Sequence, residues 1–139
     1  MKKAEQTWWR GNFIHIRGIE MVYEIGNIAP LLLVSELDRS RVFYENLLQL
    51  TVVYESFEQG LVCYAFGSNN TIILRIRQGT KEELEKMAAP LGQGAEFVLN
   101  VGRGYQYAIG PFEKASYPYS WNGCVVTFDP DGYKWSLVG

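Results

Sequence analysis

Few side chains in this sequence are of a type and spacing that do chemistry. There is one histidine, His15, and there are two cysteines, Cys63 and Cys124. No Ser/His/Asp or Cys/His set can be built except around His15, and no serine motif lies beside it. His15 sits in a short alternating segment, where a lone imidazole reads as structural or exposed rather than as a metal ligand. Both cysteines lie inside apolar, strand-like runs. Two distant thiols make neither a disulfide framework nor a zinc site, so they read as buried free thiols. Gly102-Arg103-Gly104 lacks the strand-to-helix context and the lysine of a phosphate loop. Asp129 and Asp131 are explained by an Asp-Pro-Asp-Gly turn, and Glu45, Glu82 and Glu83 by solvated helix surfaces.

What remains is Glu96 and a group of aromatics. Tyrosine, phenylalanine and tryptophan make up 14% of the chain. Most belong to the core, but Tyr105, Tyr107, Tyr117, Tyr119 and Trp121 crowd one irregular stretch before the last hairpin. Flat faces there would stack on a planar ligand or sit over a cation, for ~0.5–2 kcal/mol each. The competing reading is a loop that packs its own aromatics onto the sheet.

The elements that must position these groups are legible from Asn27 onward. Residues 28–34 form an apolar run with Pro30 near its start, as in a buried strand. Ser35 followed three residues later by Asp38 is a capping-box signature, and the helix it opens runs through residues 39–48, with Leu37, Tyr44 and Leu48 near one face. Strands follow at 51–56, 60–67 and 71–77, separated by glycine-containing turns, to make one β-α-β-β-β unit. Thr80 and Glu83 form a second capping box, opening a connecting helix that ends before Pro90. Residues 95–101 are a strand in which Glu96 shares a face with Val98 and Asn100. The chain closes with strands at 124–128 and 133–138 around the Asp129-Pro130-Asp131-Gly132 hairpin turn. Residues 1–26 read as an extension holding one short strand at 13–17.

Composition excludes several partners. The net charge of −2 comes without any basic stripe, which argues against nucleic acid. No apolar run is long enough to span a bilayer, and no signal-peptide core follows the first residues, so the cytoplasm is the expected location.

Val34-Ser35-Glu36-Leu37-Asp38-Arg39-Ser40-Arg41-Val42-Phe43-Tyr44 resembles the strand-to-helix signature that opens proteins of the glyoxalase/bleomycin-resistance/dioxygenase (vicinal oxygen chelate) superfamily. Phe128-Asp129-Pro130-Asp131-Gly132-Tyr133 resembles its closing turn. The resemblance covers residues 27–139 and implies an α+β fold of paired βαβββ modules, each curling a sheet into a half-barrel around a cleft. It divides the chain into a first module (27–79), a helical connector (80–94) and a second module (95–139). The second module departs from the pattern: Gly102 to Pro111 shows no helical period and two breakers, so its helix is expected to be missing or cut to a turn. The apolar face left bare would need a cover. A second chain or the Trp8/Trp9 extension is the expected one.

In metal-dependent members the ligands sit on inward-facing strand positions, which the resemblance carries onto Ala29, Leu74, Glu96 and Ser136. Only Glu96 is a competent ligand among these. The resemblance therefore implies the metal-free, bleomycin-resistance-like branch: a protein without cofactor or catalytic residues, homodimeric, that sequesters a planar or cationic organic compound such as an antibiotic. Glu96, Tyr105, Tyr107, Tyr119 and Trp121 are the expected ligand contacts, with a salt bridge from Glu96 to Arg75 or Arg77 as the alternative for the carboxylate. A metal-dependent lyase or dioxygenase, and a non-catalytic assembly domain, are the competing functions.

Overall fold

The computed structural model describes residues 12–16, 19–23, 29–68, 70–87, 91–92, 94–102 and 105–139. Strands β1 (Asn12–Ile16) and β2 (Ile19–Tyr23) form an antiparallel hairpin, where the sequence shows one strand. Trp8 and Trp9 lie outside the described residues.

The first module consists of β3 (Leu31–Val34), a helix, β4 (Thr51–Ser56), β5 (Leu61–Ala65) and β6 (Leu74–Gln78). Its sheet order is β3-β6-β5-β4, with β3 and β6 parallel and the rest antiparallel. The helix begins as α1 (Leu37–Arg41) and continues as a π-helix over Val42–Leu47. The wider π turn, in which Leu48 N–H donates to Phe43 O at 3.0 Å, lets the adjacent residues Phe43 and Tyr44 both become fully buried. The Ser35 capping box does not form. The cap position is Glu36, without a side-chain bond, and the orphan N–H of Leu37 donates to Gln78 Oε1 at 2.8 Å. Gln78 Nε2 in turn donates to Ser35 O at 2.9 Å, stitching the strand-to-helix junction.

After β6 comes α2 (Lys81–Lys86), whose predicted capping box is present. Thr80 Oγ1 accepts from Glu83 N–H at 3.1 Å, and Thr80 N–H donates to Glu83 Oε1 at 2.9 Å. The second module is β7 (Glu96–Asn100), α3 (Tyr105–Lys114), β8 (Ser120–Trp121), β9 (Val125–Phe128) and β10 (Lys134–Val138). Its sheet order, β7-β10-β9-β8, with β7 and β10 parallel, repeats the order of the first. The two βαβββ units thus have the same topology, and their sheets remain separate and unclosed.

The expectation of a missing second helix is overturned. Helix α3 has ten residues and contains Pro111. Gly102 stands before it at a φ of 68°, and Gly110 has open space around its Cα. Phe112 is fully buried, with Ala108 and Ile109 packed beside it, an i, i+1, i+4 apolar stripe that seats the helix on β9 and β10. Tertiary burial outweighs the poor local propensity. The sheet face expected to be bare is covered by this helix, and the reason for a second chain or the extension to cover it falls away.

The modules share one core. Phe43 meets Phe112 and Tyr117 at ring separations of 6.2 and 5.4 Å, and Tyr44 meets Trp135 at 5.8 Å. At the centre is the hairpin turn. Gly132, at a φ of 90°, closes it by donating to Asp129 O at 3.0 Å. Asp129 Oδ1 accepts the N–H groups of Asp131 and Tyr133 at 2.9 and 2.8 Å, and its Oδ2 accepts the hydroxyl of Tyr44 at 2.6 Å. Asp131 accepts both the N–H and the hydroxyl of Ser35, at 3.0 and 2.5 Å. Tyr133 donates to Leu33 O at 2.9 Å. Connecting residue Gly92 lies so close that a Cβ there would fall 2.2 Å from Tyr133 N.

Burial raises the Asp129 carboxyl above its ordinary range, against the opposing pull of the Tyr44 hydroxyl and the two backbone N–H groups. An acid with a raised folded value favours folding at low pH and loses that contribution as the pH rises through the raised value. Tyr44→Phe removes a donor to the charged form, so its cost grows from acidic to neutral pH, reaching ~1–3 kcal/mol at pH 7. Denaturant unfolding of Tyr44→Phe, Asp129→Asn and the double variant should give a coupling energy of at least ~1 kcal/mol; additivity within ~0.5 kcal/mol would refute the tie.

Candidate functional site

Each sheet has one face in the shared core and one turned away from it, and strand register decides which residues fall where. On the core side of the first sheet, Ile76 pairs with Leu32 and Val62, and Leu74 pairs with Tyr64. Leu74 is wholly buried there. It therefore cannot occupy the inward ligand position assigned to it, because the alternation Leu74-Arg75-Ile76-Arg77 turns the arginines to the open face.

Two rows cross that open face. One is Leu31–Arg75–Cys63–Tyr54, and the other is Leu33–Arg77–Leu61–Ser56. The ring of Tyr54 is 53% exposed, whereas Cys63 is buried. Arg77 is engaged by Glu83 through two bonds of 2.8 and 3.1 Å, which help hold the Glu83 carboxyl down at about 2. Among the described residues Arg75 has no such partner. Its Nη2 donates to Ala29 O at 3.1 Å, and its buried Nε makes no hydrogen bond. From the sequence alone, Arg75 stands only as a partner for Glu96. The signal that singles it out is the alternation that puts both arginines of β6 on one face, where, of the three glutamates of α2, Glu83 takes Arg77.

The open face of the second sheet carries the rows Glu96–Lys134–Phe128 and Val98–Ser136–Val126–Ser120. Glu96 has a side chain 56% exposed, with Oε1 3.7 Å from Lys134 Nζ. The alternative salt bridge to Arg75 or Arg77 is replaced by this neighbour on β10. Glu96 and Ser136 thus share a face, as the resemblance implies.

The aromatic candidates are distributed differently. Trp121 is on β8, at the opposite edge of the sheet from Glu96. Its register partner Val125 belongs to the core-side row with Leu137 and Leu99, so Glu96 and Trp121 fall on opposite faces. Tyr119 packs on Phe112 at 6.2 Å and donates to Glu113 at 3.1 Å. Tyr107, on α3 and 71% exposed, rims a pocket of about 430 Å³ whose walls include Leu47, Leu99 and Leu137. The Tyr105 side chain lies outside the described residues. The structure therefore does not bring Glu96 and Trp121 into one site, and it places Tyr107 and Tyr119 on the α3 side.

The donors do not fit a metal ion. Ala29 offers a carbonyl already taken by Arg75, the open face of β6 offers a guanidinium, and Ser136 offers a hydroxyl beside a single carboxylate. A fixed cation in the set repels another, and one carboxylate does not hold a transition metal against water. No group of three or more His, Cys, Asp or Glu side chains is arranged to bind a metal among the described residues.

Two four-stranded mixed sheets from repeated βαβββ units define a glyoxalase-type, vicinal-oxygen-chelate fold. Comparison with solved structures agrees. The chain is similar to the trypanothione-dependent glyoxalase I of Leishmania major, with 20% identity and a TM-score of 0.60 over 80% of this chain and 84% of that one. It is similar to the fosfomycin resistance protein FosX of Mesorhizobium loti, with 15% identity and a TM-score of 0.60 over 84% and 92% of the two chains. An integron cassette protein from a Halifax Harbour sewage metagenome shares 11% identity with a TM-score of 0.63, over 81% and 97%. No family model and no curated protein matches the sequence. No helix among the described residues is long and apolar enough to cross a membrane.

Burial pushes the Cys63 thiol up, and only partly does the charge of Arg75 pull it back. Ellman's reagent at pH 8 should therefore label half-buried Cys124 first and Cys63 only on unfolding. Two equally fast thiols would contradict the placement of Cys63.

Proposed function

We propose that this protein is a metal-free small-molecule-binding protein whose ligand, a planar organic compound, lies on the open face of the first sheet. The observation that supports this reading is the guanidinium of Arg75, standing on the strand where the resemblance implies a metal ligand. A charged donor there rules against cation chemistry while supplying a directional contact for a ligand. Around it, Leu31, Leu33 and Leu61 offer apolar surface and Tyr54 an exposed ring, the mixture of apolar walls and few polar groups that small-molecule sites use. Similar structures include a glyoxalase and a fosfomycin resistance protein, both named for small-molecule substrates or drugs. The donor set of the face supports sequestration rather than turnover.

The sequence reading also allowed a cationic ligand held by Glu96. Glu96 is exposed and already faced by Lys134, which removes the unpaired acid on which that choice rested.

A thermal-shift screen of planar organic compounds, followed by amide NMR mapping of the hits, tests the proposal. A ligand at about 100 times its Kd adds roughly 2.7 kcal/mol, a shift of several degrees. The expected footprint is β5 and β6, weakened in Tyr54→Ala. Hits that perturb only the α3 pocket around Tyr107, leaving β5 and β6 unmoved, would overturn it.

A further inference from the structure

Four arginine side chains are described, and three of them face carboxylates. Arg39 lies 3.8 Å from Glu36 and 3.9 Å from Asp131, Arg41 pairs with Glu45 and Glu55 at 2.6 and 3.0 Å, and Arg77 pairs with Glu83 at 2.8 Å. Arg75 alone among them has no carboxylate. One of its five N–H donors is answered, by Ala29 O, and Nε is buried with nothing to bond. Nε is too deep for a ligand to reach, so what Arg75 offers is its terminal Nη edge, where Ala29 O is the one described acceptor. A half-buried charge is ordinarily compensated by a counter-charge, and none of the described carboxylates supplies one to Arg75.

We propose that the missing counter-charge is the ligand's, and that this protein binds a planar organic oxyanion, a carboxylate or phosphonate, on the terminal Nη edge of Arg75. This deepens, and rests on, the reading of the open face as a ligand site. The planar guanidinium suits such a group because two parallel N–H bonds match two oxygens. The cross-strand row fixes the ligand's length. From Arg75 the row passes over the buried Cys63 to Tyr54, two strand spacings or about 10 Å away, so a two-ring aromatic acid of that span lies above Cys63 without reaching its thiol. On the other side Leu31 adds apolar surface at the sheet edge. The neighbouring charges leave the anchor free: Arg77 is held by Glu83, and Lys134 and Glu96 face each other on the other sheet.

The test uses the full chain with 2-naphthoate, its neutral counterpart 2-naphthamide, and phenylphosphonate. The Arg75 Nε–H side-chain NMR signal is assigned by its loss in Arg75→Met. It should shift saturably with 2-naphthoate or phenylphosphonate, and 2-naphthoate should bind at least about tenfold more tightly than the amide. Response to one anion and not the other assigns carboxylate or phosphonate. Arg75→Met should abolish that preference and leave the melting temperature unchanged or raised, since it removes an unpaired charge. Arg75→Lys should keep part of it. A Met variant with a lowered melting temperature would mark Arg75 as structural and overturn the inference. So would an unmoved Arg75 signal with either anion. Equal binding of acid and amide, both weakened by Tyr54→Ala, would overturn the oxyanion while leaving the small-molecule site standing. Loss of every probe from the open face would sink both.

Discussion

The structure depends on the two carboxylates of one turn. Asp129 binds its own turn through two backbone N–H groups and reaches across to the Tyr44 hydroxyl, and Asp131 holds the N–H and hydroxyl of Ser35. Without them, the start of the first helix and the start of the last strand would have no reason to meet. With them in place, Tyr44 meets Trp135 and Phe43 meets Phe112 edge to face, and two half-sized sheets bury their inner sides in a common core. Burying acids is expensive, and here the bonds from Tyr44 and Ser35 that help offset the cost also set the relation of the modules.

That arrangement decides what is left for function. Each sheet has one side committed to the shared core, so its other side is where a ligand has access. Alternation along β6 then sets the chemistry of that side: leucine and isoleucine face inward, and two arginines face outward. One arginine is neutralised by α2 and the other is not. The proposal of an electron-rich guest, rather than a metal ion, rests on this face.

Much of this was legible in the sequence, and the failures have physical causes. The β-α-β-β-β order, the Thr80 capping box and the Asp-Pro-Asp-Gly turn rest on local patterns and are present as read. Helix α3 was hidden because Gly110 and Pro111 weigh against it locally, while Phe112, whose burial stabilises it, acts through distant partners. The Ser35-to-Asp38 spacing mimics a cap, but the serine's better acceptor is Asp131, 96 residues on in the chain. The candidate site was the least legible part. A shift of one residue moves a side chain to the other face of a strand, and that single step separates buried Leu74 from exposed-side Arg75. Glu96 was found, but its neighbour Lys134 follows only from the parallel pairing of β7 and β10.

The central claim is that this glyoxalase-type fold has exchanged its metal for a fixed positive group. Elemental analysis of the full chain, purified without chelators from medium supplemented with nickel, zinc, manganese and iron, tests it most directly. The account predicts substoichiometric metal and a melting temperature unmoved by added ions or by EDTA. One tightly held equivalent of any of these metals, stabilising the protein and lost to EDTA, would contradict it.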